Sequence, residues 1–260
     1  MRWLERLIGS HSPPRDPMNE ARAAAEAGDY AAALALWGPL ARAGVARAQN
    51  NIGVCFSEGL GVERDAGLAV KWLTLAAEAG DPPAQRNLAT AFFKGWGVAR
   101  DGSRAAELYR SAAQQRDGLA QDMLSWMLME GDLIPPDFAE AHRWAVAAAE
   151  NGVPAAMTRL GMMYHNAIGV ERDATVAADW WRRAAECGDA DAQAMLGAAL
   201  HLGRGVALDQ AGALAWLLRG QAGGSALAAP FLGPVRAALS PDEIFEAERR
   251  ARQNLAGAAA

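Results

Sequence analysis

The sequence is poor in cysteine, and this scarcity excludes several classes of protein. Its 260 residues include only two cysteines, Cys55 and Cys187. The two are far apart in the chain, so they indicate neither a disulfide framework nor a zinc site. We therefore expect no disulfide, no metal and no cofactor, and a reducing, cytoplasmic compartment.

Long apolar runs are also missing, and no stretch is long enough to cross a membrane. The first 17 residues read MRWLERLIGSHSPPRDP, in which Arg2, Glu5 and Arg6 interrupt the apolar residues. A secretory signal needs a longer uninterrupted run. Within residues 1–8, the apolar side chains fall at helical spacing and are Trp3, Leu4, Leu7 and Ile8. We expect a short helix packed on the protein, with a weak membrane-surface anchor as the alternative.

Positive charge, tyrosine and catalytic motifs are scarce as well. The formal net charge of −5 gives no electrostatic reason to expect a nucleic-acid partner. Three tyrosines and few valine or isoleucine runs argue against an all-β chain. No nucleophile elbow, phosphate-binding loop, dinucleotide fingerprint or zinc-protease motif is present. The sequence therefore does not predict an enzyme.

What the sequence has in abundance is repetition. The pentapeptide GVERD occurs at 61–65 and 169–173, with GVARD at 97–101 and GVALD at 205–209. Gap-free columns of residues recur every 36 positions across five units. The aspartate column is Asp65, Asp101, Asp137, Asp173 and Asp209. The bulky column is Trp72, Leu108, Trp144, Trp180 and Trp216. The upstream alanine column is Ala48, Ala84, Ala120, Ala156 and Ala192. A fixed period of this length predicts a stack of small units.

Each unit reads as two helices joined by a glycine loop. In the first unit, helix A is predicted over about 48–58 and helix B over about 66–79. Gly61 permits the turn, and Asp65 caps helix B by accepting bonds from unpaired backbone N–H groups. Alanine abounds in both halves and favours helix. One helical pair cannot bury its own apolar face, so neighbouring units must stack, with each bulky residue filling the gap between pairs.

Two segments depart from this pattern, and one closes it. The third loop, EGDLIPPD, keeps its length, so Asp137 is still expected to cap. Arg116 replaces the closing glycine of the second unit, and we expect Gly118 to make that turn. Near the end of the chain, Ser240 and Glu243 form a capping box that predicts a terminal helix. Its arginines are interpreted as a solvated face of mixed charge.

These columns resemble the Sel1-like repeat family. The matching residues of the fourth unit are Ala156, Leu160, Gly161, Tyr164, Gly169, Val170, Asp173, Ala177, Trp180, Trp181, Ala184, Ala185 and Gly188. The resemblance implies an all-α fold, a right-handed α-solenoid of antiparallel helix pairs. The tetratricopeptide repeat is the nearest alternative, but its period is 34 and it lacks the glycine-valine corner. The expected domains are 1–16 (short helix and linker), 17–47 (partial repeat), 48–224 (repeats 48–83, 84–119, 120–155, 156–191 and 192–224) and 225–260 (capping helices and tail).

The resemblance also implies a function. Sel1-like proteins assemble signalling, regulatory or quality-control complexes, so a non-enzymatic scaffold or adaptor, in a bacterial-type complex, is the leading hypothesis. A cysteine-rich branch of the family is linked to β-lactam binding and weak hydrolysis. That alternative requires a disulfide in each repeat, whereas Cys55 and Cys187 lie in different repeats. A peripheral membrane adaptor acting through residues 1–8 is the other alternative.

The binding site is expected where the repeats differ, on the helix A positions that lie outside the core stripe. These positions should line the inner curve of the stack. The candidate partner-binding residues are Arg86, Thr90, Phe93, Asp122, Trp126, Met129, Met162, His165 and His201. Aromatic and methionine side chains are enriched at binding hot spots. The expected ligand is a helix or extended segment of another protein, or the chain's own N-terminal segment.

Two of these candidates raise the question of a metal. His165 and His201 are 36 positions apart and should face the same way on adjacent A helices. No acidic or cysteine ligand shares their column, and a closed metal site needs more ligands than two. We therefore interpret them as partly exposed surface histidines.

Overall fold

The structure is a computed structural model that describes residues 16–253, and this part of the chain is all-helical, with no strand. It contains antiparallel helix pairs, which confirms the predicted fold class. This part of the chain separates into two compact units, and the division falls between Gln115 and Arg116. Residues 1–8, predicted to form a short amphipathic helix, lie outside the described part of the chain.

The first unit consists of six helices that pack in sequential order. Its strongest packing joins α1 to α2, α3 to α4 and α5 to α6. The helices are α1 (Pro17–Glu26), α2 (Tyr30–Arg42), α3 (Ala46–Glu58), α4 (Ala66–Glu78), α5 (Pro82–Lys94) and α6 (Gly102–Gln114). The predicted helices A and B of the first repeat correspond to α3 and α4.

The second unit continues the same pairing and ends in a cap. The paired helices are α7 (Gly118–Glu130), α8 (Phe138–Glu150), α9 (Pro154–Asn166), α10 (Ala174–Glu186), α11 (Ala190–Leu202) and α12 (Gln210–Ala222). A 3₁₀ turn (Ala226–Ala228) then leads into α13 (Ala229–Ala237) and α14 (Pro241–Arg252). The cap buries Ala228, Val235 and Ala247 against α12.

Each aspartate of the aspartate column forms hydrogen bonds to both helices of its pair. The Asp65 carboxylate accepts a 2.8 Å hydrogen bond from the Leu68 N–H, which caps α4. The Asp65 backbone N–H donates a 2.9 Å bond to the Phe56 carbonyl of α3. The same two fastenings occur at the other four aspartates of the column, including Asp137 in the loop of altered sequence. One residue therefore starts the second helix and sets its distance from the first.

Glycine occupies the glycine-valine corner for both a conformational and a steric reason. Gly61 has φ +69°, a left-handed conformation that side chains disfavour. A Cβ at this position would lie 2.9 Å from the carbonyl carbon of Tyr30, the first residue of α2. At Gly205, a Cβ would collide with the backbone of Ala174, the first residue of α10. The corner thus packs against the start of the preceding helix B, where only glycine fits.

One turn departs from our expectation, and another position takes a left-handed conformation without glycine. Arg116 itself takes the left-handed conformation, with φ 66°, whereas Gly118 is the first residue of α7. The prediction that Gly118 makes this turn is therefore wrong, because the Asp117 carboxylate caps α7 one residue earlier. Ala167 is the C-cap of α9 with φ 59°, at the position that Gly59 occupies after α3.

The tryptophans of the bulky column fill the space between helix pairs only in part: Trp72 packs against the core of α2 and α3 but keeps some exposed surface. Trp72, Trp144, Trp180 and Trp216 are only half-buried. The next position along helix B is the one that faces inward, and Trp181 there is 4% exposed. Its indole packs directly over Gly161 of α9, which leaves no room for a Cβ. A period fixes which residues are equivalent, but an error of one position rotates a helix by about 100°.

The terminal helix matches its prediction. The Ser240 and Glu243 side chains form the capping box that begins α14. On its outer face, Glu246 binds both Arg249 and Arg250, at 2.8 and 3.1 Å. These two arginines therefore belong to a surface charge network within the helix.

Candidate partner-binding surface

In the first unit, the candidate residues lie on α5 beside a groove. Thr90 lines this groove of about 150 Å³, together with the exposed Trp96 and with Val54 of α3. The Thr90 hydroxyl is 2.8 Å from the Tyr109 hydroxyl. Phe93 is half-buried under the Arg100 guanidinium, whose carbon lies 5.9 Å from the ring centroid. Arg86, also half-buried, lies on the same helix.

In the second unit, five of the six candidates are buried to a similar extent. They lie on the first helix of their repeats, with Trp126 and Met129 on α7, Met162 and His165 on α9, and His201 on α11. All five are half-buried. An apolar side chain that is half-buried in the free protein retains surface that a partner can cover.

Asp122 requires a correction. The residue is only 9% exposed, and its carboxylate lies 3.0 Å from Nη2 of Arg159. The Arg159 side chain is 13% exposed, so this ion pair between α7 and α9 is largely removed from water. Desolvated charges must be paired, because an unpaired charge in such a place costs several kcal/mol. Asp122 therefore joins two repeats and is not available to a partner.

The corresponding contact in the first unit is neutral. The Asn87 amide of α5 donates a 2.9 Å hydrogen bond to the Asn50 side chain of α3. Asn50 and Asp122 occupy the same column, two periods apart, and Asn87 and Arg159 occupy the next one. Sequence reasoning missed this connection, although two adjacent columns of polar residues at a predicted helix–helix contact were a visible signal.

A second missed feature is a column of buried glutamines. The Gln49 amide donates a 3.0 Å hydrogen bond to the Ala41 carbonyl near the end of α2. Gln85 and Gln193 make the same contact, at 3.3 and 3.2 Å, with the carbonyl eight residues earlier. Each satisfies a carbonyl that the end of a helix leaves without an intrahelical partner. The 36-residue spacing of these glutamines could have revealed their role.

The three described histidines have separate surroundings. His142 lies 3.2 Å from the Tyr164 hydroxyl, and His201 Nδ1 lies 2.7 Å from the Gln210 side-chain oxygen. His165 packs on Trp181, with ring centroids 5.4 Å apart. Burial, Arg172 and Arg204 together lower the pKa of His165. Among residues 16–253, no group of three or more metal-ligating side chains is gathered.

The two alternative functions depend on the cysteines and on residues 1–8. Cys55 is buried and Cys187 is exposed, and both are free thiols. The disulfide that the β-lactam-hydrolysing branch requires is therefore not formed by either. The membrane alternative depends on residues 1–8, which lie outside the described part. Within that part, no helix is long and apolar enough to cross a bilayer.

Comparisons with known proteins place this geometry in context. The Sel1 repeat model matches residues 46–81, 82–117, 118–153, 154–189 and 190–221. A comparison with curated proteins finds no match. Among solved structures, a Sel1 repeat protein from Oxalobacter formigenes is 28% identical, with a TM-score of 0.80 over 92% of this chain and 98% of that one.

A second similar structure is a protective antigen of uropathogenic Escherichia coli strains that displays an SLR fold. It is 26% identical, with a TM-score of 0.77 over 91% of this chain and 56% of that one. The repeat model covers well over half of the sequence, and its units coincide with the helix pairs described above. The chain belongs to the Sel1 repeat family.

Proposed function

We propose that this chain is a cytoplasmic, non-enzymatic scaffold that binds a segment of another protein through the first helices of its repeats. The Sel1 repeat fold is generally a protein–protein interaction scaffold and is typically non-catalytic. The finer claim concerns where the segment binds and which residues contact it. A bacterial-type signalling or regulatory complex is the setting that the family suggests.

The observation that carries the proposal is the contrast between two kinds of column. Aspartates recur in all five repeats, and corner glycines and buried glutamines each recur in four of the five, because they build the repeat framework. The partly exposed positions of the first helices instead change from one repeat to the next. At one such position the residues are Ser57, Phe93, Met129, His165 and His201. A surface that varies on a constant framework is how repeat proteins recognise partners.

The chemistry of these positions also supports binding. Phe93, Trp126, Met129 and Met162 offer aromatic and thioether groups that are half-buried. Such side chains already have restricted mobility, so covering them releases water at a small entropic cost. Methionine adapts to irregular partner shapes. We retain these four with Arg86, Thr90, His165 and His201 as the proposed contacts, without Asp122.

The test uses site-specific photocrosslinking in the native cell. A benzophenone amino acid replaces Met129 in one variant and the exposed Arg143 of α8 in the control. We expect a discrete cross-linked protein from position 129 and none from position 143. Trp126→Ala should reduce the cross-link at position 129 at least tenfold, with unchanged circular dichroism. A cross-link of equal yield from position 143, or one that only joins residues 1–8 of the same chain, would count against an intermolecular partner.

A further inference from the structure

A groove of about 370 Å³ lies among the first three helices of the first unit. Side chains of α1, α2 and α3 and of the loop after α3 form its wall, and most of them are apolar. The apolar ones are Ala25, Tyr30, Trp37, Val54, Cys55 and Leu60. Arg22 and Glu26 supply the charges, and they already form an exposed ion pair at 3.6 Å. This α1–α3 groove therefore suits an apolar, uncharged group.

The α1–α3 groove adjoins the smaller groove that Thr90 and Trp96 line. Val54 of α3 lines both of them. The two are equivalent within the repeat, because Asn51 lines the first groove where Asn87, 36 positions later, lines the second. A ligand long enough to pass Val54 can therefore occupy both grooves in turn. Such a ligand is a chain segment and not a compact small molecule.

A row of asparagines ends at the α1–α3 groove. The Asn87 amide donates a 2.9 Å hydrogen bond to the Asn50 side-chain oxygen, and the Asn50 amide donates a 3.3 Å bond to the Asn51 side-chain oxygen. The Asn51 oxygen thus accepts within the protein, whereas its own N–H groups have no acceptor among residues 16–253. Asn51 is half-buried and lines the groove. Its amide is therefore a hydrogen-bond donor available to a ligand.

A second donor on the wall of this groove is the Trp37 indole. Trp37 is 4% exposed, and its Nε1 is buried without a hydrogen-bond partner in the part of the chain that the structure describes. Proteins rarely leave a buried donor unpaired, because it has lost its hydrogen bonds to water. The equivalent residue of the smaller groove is Leu73, which has no polar side-chain atom. The α1–α3 groove thus combines an apolar wall with two donor groups that lack acceptors.

We propose that the α1–α3 groove binds an extended, uncharged segment of a partner protein, which places an aliphatic side chain against Val54 and Leu60. The main-chain carbonyls of the segment accept hydrogen bonds from Asn51 Nδ2 and Trp37 Nε1. An extended segment has carbonyls that are not already paired, whereas a helix uses its own internally. This inference rests on the proposed scaffold function and adds the conformation and polarity of the partner segment.

The charge of residues 1–8 disfavours them as the occupant of this groove. They carry Arg2, Glu5 and Arg6. The two charged residues of the groove already pair with each other. The three charges of the segment would therefore lose water without gaining partners, which is unfavourable. A segment of another protein, without charges, fits the groove better.

The first experiment measures binding of a defined extended probe to the full chain by fluorescence anisotropy. The probe is a fluorescein-labelled 12-residue peptide, Ser-Pro-Leu repeated four times, whose prolines prevent a helix and keep its carbonyls unpaired. We expect saturable binding that Asn51→Asp weakens at least fivefold, with unchanged circular dichroism and urea midpoint. The aspartate keeps the oxygen that accepts from Asn50 but has no N–H to donate. The control Gln114→Glu makes the same change of group at the exposed end of α6 and should alter the affinity less than twofold.

The second experiment follows the indole N–H groups by NMR. The Trp37 resonance, assigned by its loss in Trp37→Phe, should move when the probe is added, because the N–H gains an acceptor. Trp181 is an internal control, since its Nε1 is also buried without a partner among the described residues but packs over Gly161 in the second unit. Its resonance should stay in place.

Three results would overturn the inference. They are the lack of saturable binding, an equal loss of affinity in Gln114→Glu, and a Trp37 resonance that the probe leaves unmoved. Tighter binding of a synthetic peptide of residues 1–8, in competition with the probe, would assign the groove to the chain's own segment and also contradict the inference. If Met129 still forms its cross-link while the probe does not bind, only the groove is misassigned. If the wild-type protein gives no cross-link at Met129, the scaffold proposal itself fails.

Discussion

At the scale of single residues, the side chain of Ala167 sets it apart from its equivalents, which take the same left-handed conformation as glycines. A glycine directly follows the first helices α3, α5, α7 and α11 as their C-cap, whereas Ala167, with φ 59°, is the C-cap of α9. An L-residue in this region pays roughly 1–2 kcal/mol, because its Cβ crowds the following carbonyl. The fourth repeat is therefore strained at the end of its first helix, where the other four repeats have glycine.

Ala167→Gly should consequently stabilise the protein. We expect the free energy of unfolding to rise by about 0.5–1 kcal/mol, after the larger unfolded-state entropy of glycine is offset. Urea denaturation followed by circular dichroism measures the change. The matched control is Ala155→Gly, an exposed position inside α9, where glycine should cost about 0.5–1 kcal/mol. A lower stability for Ala167→Gly would contradict this account of the joint.

Gly161 gives the opposite prediction. A Cβ at this position would overlap the Trp181 indole, so Gly161→Ala should lower the free energy of unfolding by about 1–3 kcal/mol. Gly233→Ala is the control, because no atom lies within 4 Å of the added carbon and alanine favours the helix α13. Thermal unfolding should show a lower melting temperature for the first variant and an equal or higher one for the second.

At the scale of helices, neighbouring first helices are joined by interchangeable chemistry. The pair Asp122–Arg159 and the pair Asn50–Asn87 occupy equivalent columns, one ionic and one neutral. Asp122→Ala should cost about 2–3 kcal/mol, because it leaves a largely buried guanidinium without its anion. The double variant Asp122→Asn/Arg159→Asn recreates the neutral pair and should recover most of this loss. A double variant less stable than the single one would show that the two columns are not equivalent.

We expect the histidines of the second unit to make its stability depend on pH. Burial lowers the pKa of His142, and burial with two nearby arginines lowers that of His165. Just below pH 6.5 the unfolded chain therefore binds more protons than the folded one. The stability that comes from keeping these rings neutral should be fully present above pH 6.5. It should decrease as the pH falls below that value towards the lowered pKa values of the folded protein. His142→Gln/His165→Gln should flatten the curve of urea midpoint against pH between 7.5 and 5, and an unchanged slope would contradict the assignment.

At the scale of the whole molecule, the second unit depends on its terminal helix. The Arg219 guanidinium of α12 donates hydrogen bonds to the Arg250 and Gln253 carbonyls at the end of α14, at 2.6 and 3.1 Å. A chain that stops at Leu239 loses these bonds and exposes the apolar cluster around Val235. We expect a lower urea midpoint and binding of the dye ANS. A chain that stops at Gln253 retains α14 and is the control, and equal midpoints for both would contradict the role of α14.

The repeat made the fold predictable, because the period, the aspartate caps and the corner glycines specify local geometry. The site was less predictable. A column shows which residues are equivalent but not how far each helix is rotated. Asp122 was therefore assigned to the surface when it is buried. The pairing of Asp122 with Arg159 joins residues 37 positions apart, and only the packing of two helices brings them together.

The common starting point of the first helices has a consequence for the history of the gene. Each repeat begins where its first helix starts, and Val153 and Asp189 occupy the same N-cap position before α9 and α11. Deleting residues 154–189 would leave Val153 followed by Ala190, a junction of the kind the chain already contains. Unequal recombination between copies can therefore lengthen or shorten the protein by whole repeats. Such events change the number of repeats while the first helix of each remaining repeat keeps its capping position.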